Sequence, residues 1–266
     1  MTRFLLLVAL VLGVGAWLVL GRGLLSPSAS PANGFVVHRV AHAGGGLDGQ
    51  TYTNSMEALD QSAALGFVYI ELDLLFTTDG ELVCLHDWDG FGGEALSYDQ
   101  FRAAVEARGT FDNCDLERLR TWMTTHDQVH LITDVKGDNL DALTLMRARI
   151  PEATRRVIPQ VYRPEAFAEA KRLGFEQVIW TLYRYDGSVE DVLAWADQFE
   201  GPFAVTMPKA RARTNLPQAL AQRGVPTYVH TVNGADEAEA YRSKADITEV
   251  YTDFLPPSPH GKASSP

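Results

Sequence analysis

The run VIPQVYRPEAFAEAKRLGFEQVIWTL, residues 157–182, holds one full structural period of this chain. Val157–Val161 is short and rich in β-branched residues, which reads as a buried strand. Pro164–Leu173 follows with Phe167, Ala170 and Leu173 at helical spacing, Gly174 ends it, and Gln177–Leu182 returns to strand. A strand, a helix, a glycine stop and a second strand make a parallel β-α-β unit.

The same unit recurs on both sides. Strands are expected at Phe35–His42, Val68–Leu74, Val129–Val135, Phe203–Met207, Thr227–Val232 and Glu249–Thr252. Amphipathic stretches lie at Ser55–Leu65, which ends at Gly66, at Ser188–Phe199 and at Asp236–Ser243. Eight strands alternating with helices over residues 35–256 predict an α/β chain closed into a (β/α)8 TIM barrel, an architecture of about 250 residues. An open doubly wound sheet is the alternative, although no Gly-x-Gly-x-x-Gly follows the first strand. One insertion interrupts the alternation: Thr78-Asp79-Gly80 turns into a short strand Glu81–Leu85, followed by a Gly-rich loop and two helical pieces. Leu116, Leu119, Trp122 and Met123 give the second piece an apolar stripe suited to core packing.

Composition narrows the function. With 46% hydrophobic and 21% charged residues the chain is globular rather than disordered. Its 23 Lys and Arg against 34 Asp and Glu give 23 − 34 = −11, with no basic run, which excludes a phosphate-backbone partner such as nucleic acid. Two cysteines, Cys84 and Cys114, exclude a zinc ribbon and a multi-disulfide scaffold; sequence alone leaves their pairing open. The apolar run Phe4–Leu20 is near the lower limit for crossing a bilayer, about 20 residues, and Pro31 abuts the small-residue site Ser28-Ala29-Ser30. Residues 1–25 are therefore expected to be a signal anchor or a signal peptide, residues 26–34 a linker, residues 35–256 the barrel and residues 257–266 a disordered tail. The barrel is expected outside the cytoplasm, tethered to the membrane or secreted, where a disulfide is permitted.

Chemistry in such a barrel sits at the carboxyl ends of the strands. His42 closes the first expected strand, Glu71 and Asp73 the second, His86-Asp87 the inserted one, and Asp134 and Lys136 the third. Period two puts Glu71 with Asp73, and Asp134 with Lys136, on one face each. Three carboxylates converging inside a barrel repel one another by several kcal/mol at an effective dielectric near 20, and a divalent cation relieves that. Oxygen ligands suit Mg²⁺ or Ca²⁺ rather than zinc. Smaller expectations fall on Gln160, Tyr162, Lys209 and Trp88 as pocket residues, on Asn54 near the first histidine's loop, and on Asp87 as partner of a histidine. His38, His126, His130 and His230 are read as structural.

Ala41-His42 with its glycines, Asn54-Ser55, Ile70-Glu71-Leu72-Asp73, Thr78-Asp79-Gly80 and Leu85-His86-Asp87 together resemble the glycerophosphodiester phosphodiesterase family. Thr231-Val232-Asn233 and Thr252-Asp253-Phe254-Leu255-Pro256 resemble its closing motifs. The resemblance implies a TIM-barrel phosphodiesterase with His42 and His86 as general acid and base. It further implies Glu71, Asp73 and Asp134 as ligands of a divalent metal, and Lys136 facing the phosphate of a small phosphodiester or phospholipid. Asn54, Gln160 and Trp88 are expected to touch substrate. Where the family usually has arginine after the first histidine, this chain has Ala43. That change and the Asp134-x-Lys136 pair resemble the sphingomyelinase D-like branch of the same superfamily. A phospholipase D-like lyase forming a cyclic phosphate, and a barrel that binds lipid or glycan without catalysis, are the competing expectations.

Overall fold

Strands buried on both faces sort their side chains by parity, and here the two parities carry different chemistry. The computed structural model describes residues 33–258. The expected anchor or signal peptide, most of the linker and residues 259–266 of the tail lie outside the described residues. Among the described residues no helix is long and apolar enough to cross a membrane. The strands are β1 (Val40–Ala41), β2 (Tyr69–Phe76), β3 (Leu82–Cys84), β4 (His130–Val135), β5 (Val157–Val161), β6 (Val178–Thr181), β7 (Phe203–Pro208), β8 (Thr227–His230) and β9 (Glu249–Thr252). The α-helices are α1 (Met56–Leu65), α2 (Tyr98–Arg108), α3 (Leu116–Met123), α4 (Asn139–Arg149), α5 (Ala153–Arg156), α6 (Pro164–Arg172), α7 (Val189–Ala196), α8 (Leu216–Ala221) and α9 (Ala235–Lys244).

The sheet closes. β1 pairs in parallel with β2 on one side and with β9 on the other, and β2, β4, β5, β6, β7, β8 and β9 follow in parallel order. An open doubly wound sheet has two free edges and is excluded. The fold is a TIM barrel, with β3 added antiparallel to the end of β2.

Outward residues such as Ile70, Leu72, Leu74, Leu131, Val157, Trp180 and Val205 join the helices in one large core. Inward residues at the amino end form a separate core of Phe35, Val40, Tyr69, Ile132, Ile158, Ile179, Ala204, Tyr228 and Tyr251. Two residues further along most of these strands, the same inward parity reaches polar groups: His42, Glu71, Asp134, Gln160, Thr181, Thr206, His230 and Asp253. The barrel is thus plugged with apolar side chains below and floored with polar ones above.

The first strand is shorter than expected. Only Val40–Ala41 pairs, because the preceding residues cross the amino end of the barrel instead of joining the sheet. Phe35 is fully buried there, edge-on to Tyr69 and Tyr228 at 6.4 Å each. The hydroxyls of those two tyrosines donate to the carbonyls of Val36 and His38.

The insertion between β2 and β4 builds a small core of its own from Val83, Leu85, Phe101 and Val105. Ser97 starts α2 through a reciprocal capping box with Gln100, and Asp115 caps α3, whose predicted stripe is buried. Cys84 and Cys114 are bonded, with Cα atoms 5.0 Å apart, which settles the pairing the sequence leaves open. The Cys84 amide also donates to the Cys114 carbonyl at 2.8 Å, and Asn113 Nδ2 donates to the carbonyls of Thr53 and Cys84. The link therefore pins the insertion to the barrel rim two residues before His86. Closing a loop with a sequence separation of 30 contributes about 3 kcal/mol in the chain-entropy account. Reductant should lower the melting temperature by roughly 6–12 °C, followed by circular dichroism; an unchanged melting curve after verified reduction would show the link to be thermodynamically idle.

Candidate active site

Parity and register together assemble the acidic cluster. Glu71 and Asp73 share the inward face of β2, and Asp73 lies directly across from Asp134 of β4. One carboxylate oxygen from each of the three lies within 4.8 Å of the others, and all three residues are buried. Each is held differently. Glu71 Oε2 accepts from the Ala43 amide at 2.8 Å, while its buried Oε1 has no partner. Asp73 accepts from Asn54 Nδ2 at 2.9 Å and from Lys136 Nζ at 2.6 Å. Asp134 accepts from Lys136 Nζ at 2.8 Å and from the Tyr162 hydroxyl.

The charges do not balance. One ammonium stands against three buried carboxylates. Burial, with Asp73 and Asp134 adding to it, pushes the Glu71 carboxyl up to about 8, against the pull of His42 and the Ala43 amide. Burial alone would lower Lys136, but Asp73 and Asp134 outweigh it and hold the ammonium charged far above neutrality. An orphaned, desolvated carboxylate oxygen beside two other carboxylates is the donor set a hard divalent cation requires. The residues present fit such an ion.

Two imidazoles stand at this cluster, each held through Nδ1 by a carboxylate. His42 Nδ1 lies 2.9 Å from Asp253 Oδ1, and Asp253 is itself fixed by Asn233, whose Nδ2 donates to Oδ2 at 2.7 Å and whose Oδ1 accepts the Asp253 amide. Burial opposes a charge on His42, yet the Asp253 hydrogen bond and the charges of Glu71, Asp253 and Asp73 raise its pKa above the ordinary value. The glycine run after His42 permits this arrangement. Gly46 donates to the Asp253 carbonyl at 2.7 Å, and a Cβ there would lie 2.8 Å from that oxygen and 2.2 Å from the Phe254 ring. His86 is half-exposed and pairs with Asp87 Oδ2 at 2.7 Å; that hydrogen bond holds the Asp87 carboxyl below its usual range.

Several expected site residues take other places. Asn54 spends both ends of its amide on Asp73, Nδ2 on the carboxylate and Oδ1 on the backbone amide at 3.0 Å. It therefore braces Asp73, and the cap of α1 is Ser55. Trp88 turns away from the cluster into the insertion's own core, against Phe91 and Phe101 at 6.1 and 5.9 Å. Gln160 does sit beside Asp134 in the register, with Oε1 accepting from the Tyr251 hydroxyl at 2.9 Å. Lys209 is paired with Glu237 at 2.9 Å.

Other residues enter that the sequence reading passes over. Tyr52 stands between the two imidazoles, its ring 4.8 Å from His42 and 5.0 Å from His86. It lies in an irregular loop at φ 57°, where no periodicity marks it. His230, read as structural, belongs to the polar layer: its ring is 6.4 Å from His42 and 4.4 Å from Tyr183, and its buried Nε2 has no partner. Burial first, then the charges of His42 and Lys136, push its pKa down to about 3, so it stands as a neutral imidazole. The signal for Asp253 was present, since it directly follows the last strand in Thr252-Asp253-Phe254-Leu255-Pro256.

Comparison with known proteins adds three findings. The chain matches the family described as "Glycerophosphoryl diester phosphodiesterase family" over residues 42–135. Comparison with curated proteins gives no significant match. Among solved structures, a glycerophosphodiester phosphodiesterase from Parabacteroides distasonis superposes with a TM-score of 0.63 at 20% identity, covering 82% of this chain and 93% of that one. One from Thermotoga maritima gives 0.59 at 17% identity, covering 75% and 88%. An Oleispira antarctica phosphodiesterase in complex with the product sn-glycerol-3-phosphate gives 0.62 at 14% identity, covering 81% and 92%. At these identities the superpositions establish the shared barrel. The matched segment, by contrast, runs from His42 to the end of β4 and contains Glu71, Asp73, His86 and Asp134, so over this third of its length the chain is similar in sequence to the glycerophosphoryl diester phosphodiesterase family.

Proposed function

We propose that this protein hydrolyses glycerophosphodiesters or closely related lipid-derived diesters in a reaction that depends on a divalent cation, Ca²⁺ or Mg²⁺. The observation that carries the reading is a buried cluster of three carboxylates together with two carboxylate-held imidazoles, His42 and His86, on either side of the Tyr52 ring. Glu71, Asp73 and Asp134 would hold the ion, whose charge when bound offsets the anionic phosphodiester oxygens. Lys136 adds a fixed cation beside the same oxygens. With Nδ1 of His42 committed to Asp253 and Nδ1 of His86 to Asp87, Nε2 is the working nitrogen of each ring. One ring takes a proton from the attacking hydroxyl and the other gives one to the departing alkoxide. That the Oleispira antarctica structure holds sn-glycerol-3-phosphate supports glycerol as one arm of the diester.

The barrel is proposed to work outside the cytoplasm, tethered or released by its N-terminal apolar run. The Cys84–Cys114 bond supports an oxidising compartment. Phosphorus NMR of the barrel acting on glycerophosphocholine and lysophospholipids, with Ca²⁺, Mg²⁺ or chelator, tests the activity. A phosphomonoester product that disappears with chelator is expected. A cyclic phosphate as the end product would replace hydrolysis with the lyase reaction, and no turnover with either ion would reject catalysis.

A further inference from the structure

A cavity of about 540 Å³ opens beside His86, between the loop that carries Tyr52 and the insertion, with Phe91, Arg108 and Phe111 on its far wall. Its size is that of a small-molecule subsite. Tyr52 and His86 line it, and the Tyr52 ring also touches His42, so it is continuous with the place where the phosphate would lie. The two charged groups in its lining besides His86 differ in what they have left to offer. Asp87 is spent, with Oδ2 on His86 and Oδ1 on the Asp89 amide. Arg108 is not. It ends α2, but its guanidinium reaches across to the Gly90 carbonyl at 3.3 Å and lies 4.5 Å over the Phe91 ring. Among the described residues it pairs with no carboxylate, and one contact leaves most of its N–H donors free.

Resting on the hydrolase reading above, we infer that this cavity receives one ester arm of the diester and that Arg108 selects arms bearing an anionic group, a carboxylate or a phosphate monoester. The Phe91 side of the wall argues the same way. A quaternary ammonium arm needs an open aromatic face. The Phe91 ring is already covered by Arg108 and packed against Trp88 and Phe101, at 6.1 and 5.3 Å. A cationic arm therefore meets a like charge, and an anionic arm meets a planar fork of unspent donors.

The test compares sn-glycerol-3-phosphate diesters of four alcohols: 4-hydroxybutyrate, butane-1,4-diol monophosphate, butane-1,4-diol and choline. The native protein should show kcat/KM for the carboxylate and phosphate probes at least about tenfold above that for the choline probe, the size of one charge-assisted contact. The two anionic probes rank carboxylate against phosphate. Arg108→Gln should bring the anionic-to-choline ratio to about twofold or less through KM, Arg108→Lys should retain part of it, and Arg108→Glu should reverse it. A native preference for choline, or a ratio unchanged in Arg108→Gln, overturns the proposal. If none of the probes is hydrolysed with Ca²⁺ or Mg²⁺, the hydrolase reading falls. Calorimetric binding of the same probes then decides the subsite: an anionic preference lost in Arg108→Gln supports it, and equal binding rejects it.

Discussion

Replacing His42 with alanine is expected to lower kcat by about 10³-fold, the usual worth of a positioned acid or base, while far-ultraviolet circular dichroism stays native. His42 is the better held of the two imidazoles: buried, fixed by Asp253, and with its pKa raised by that hydrogen bond and by the nearby acidic groups against the opposing effect of burial. His42→Gln, close in size, guards against a packing defect being mistaken for lost chemistry. A full-activity variant would remove His42 from the reaction. Asp253→Asn probes the same ring without touching it. The substitution takes away the negative charge and weakens the hydrogen bond that raise the His42 pKa, so the limb of the kcat/KM profile that belongs to His42 should move to lower pH. A merely structural Asp253 would change the height of the profile and leave the limb in place.

Chelation should abolish turnover by at least about 10²-fold, and the ion should bind in competition with a proton. Without a cation the Glu71 carboxyl is pushed up to about 8, so near pH 7 it is protonated and must release that proton on binding. Apparent affinity should therefore rise with pH and level off above about 8, and calorimetry in buffers of different ionisation enthalpy should count close to one proton released. The sign for stability is the reverse. The folded state keeps the Glu71 proton to higher pH than the unfolded chain, so the cation-free protein loses stability as pH rises from the ordinary carboxylate range to about 8. Glu71→Gln should remove that slope, melt above the cation-free native protein at pH 8.5, and gain no stability from added Ca²⁺ or Mg²⁺. A native affinity independent of pH between 6 and 8 would mean that Glu71 is not a ligand.

The two limits on reading this chain have a common origin. Where Trp88 and Asn54 were expected to touch substrate, local position was a poor guide. Trp88 follows His86-Asp87 directly, yet the insertion supplies Phe91 and Phe101 as nearer apolar company than any ligand. Asn54 precedes a helix, yet its amide fits the Asp73 carboxylate and amide together. The expected first strand failed for a related reason, since Phe35 looks like strand by composition but is drawn into the plug beneath the barrel.

What the residues alone determined was the alternation of strands and helices, the strand ends, and the sharing of one face by Glu71 with Asp73 and by Asp134 with Lys136. Period-two geometry is local and survives whatever the rest of the chain does. What only the tertiary structure decided was who meets whom across the ring. His42 and Asp253 are 211 residues apart and touch because β1 closes the sheet against β9. Cys114 meets Cys84, and Tyr52 comes between His42 and His86, through packing of irregular loops on the barrel rim. Such pairings follow from the closure and stagger of the whole sheet, a property that no single strand carries in its own pattern.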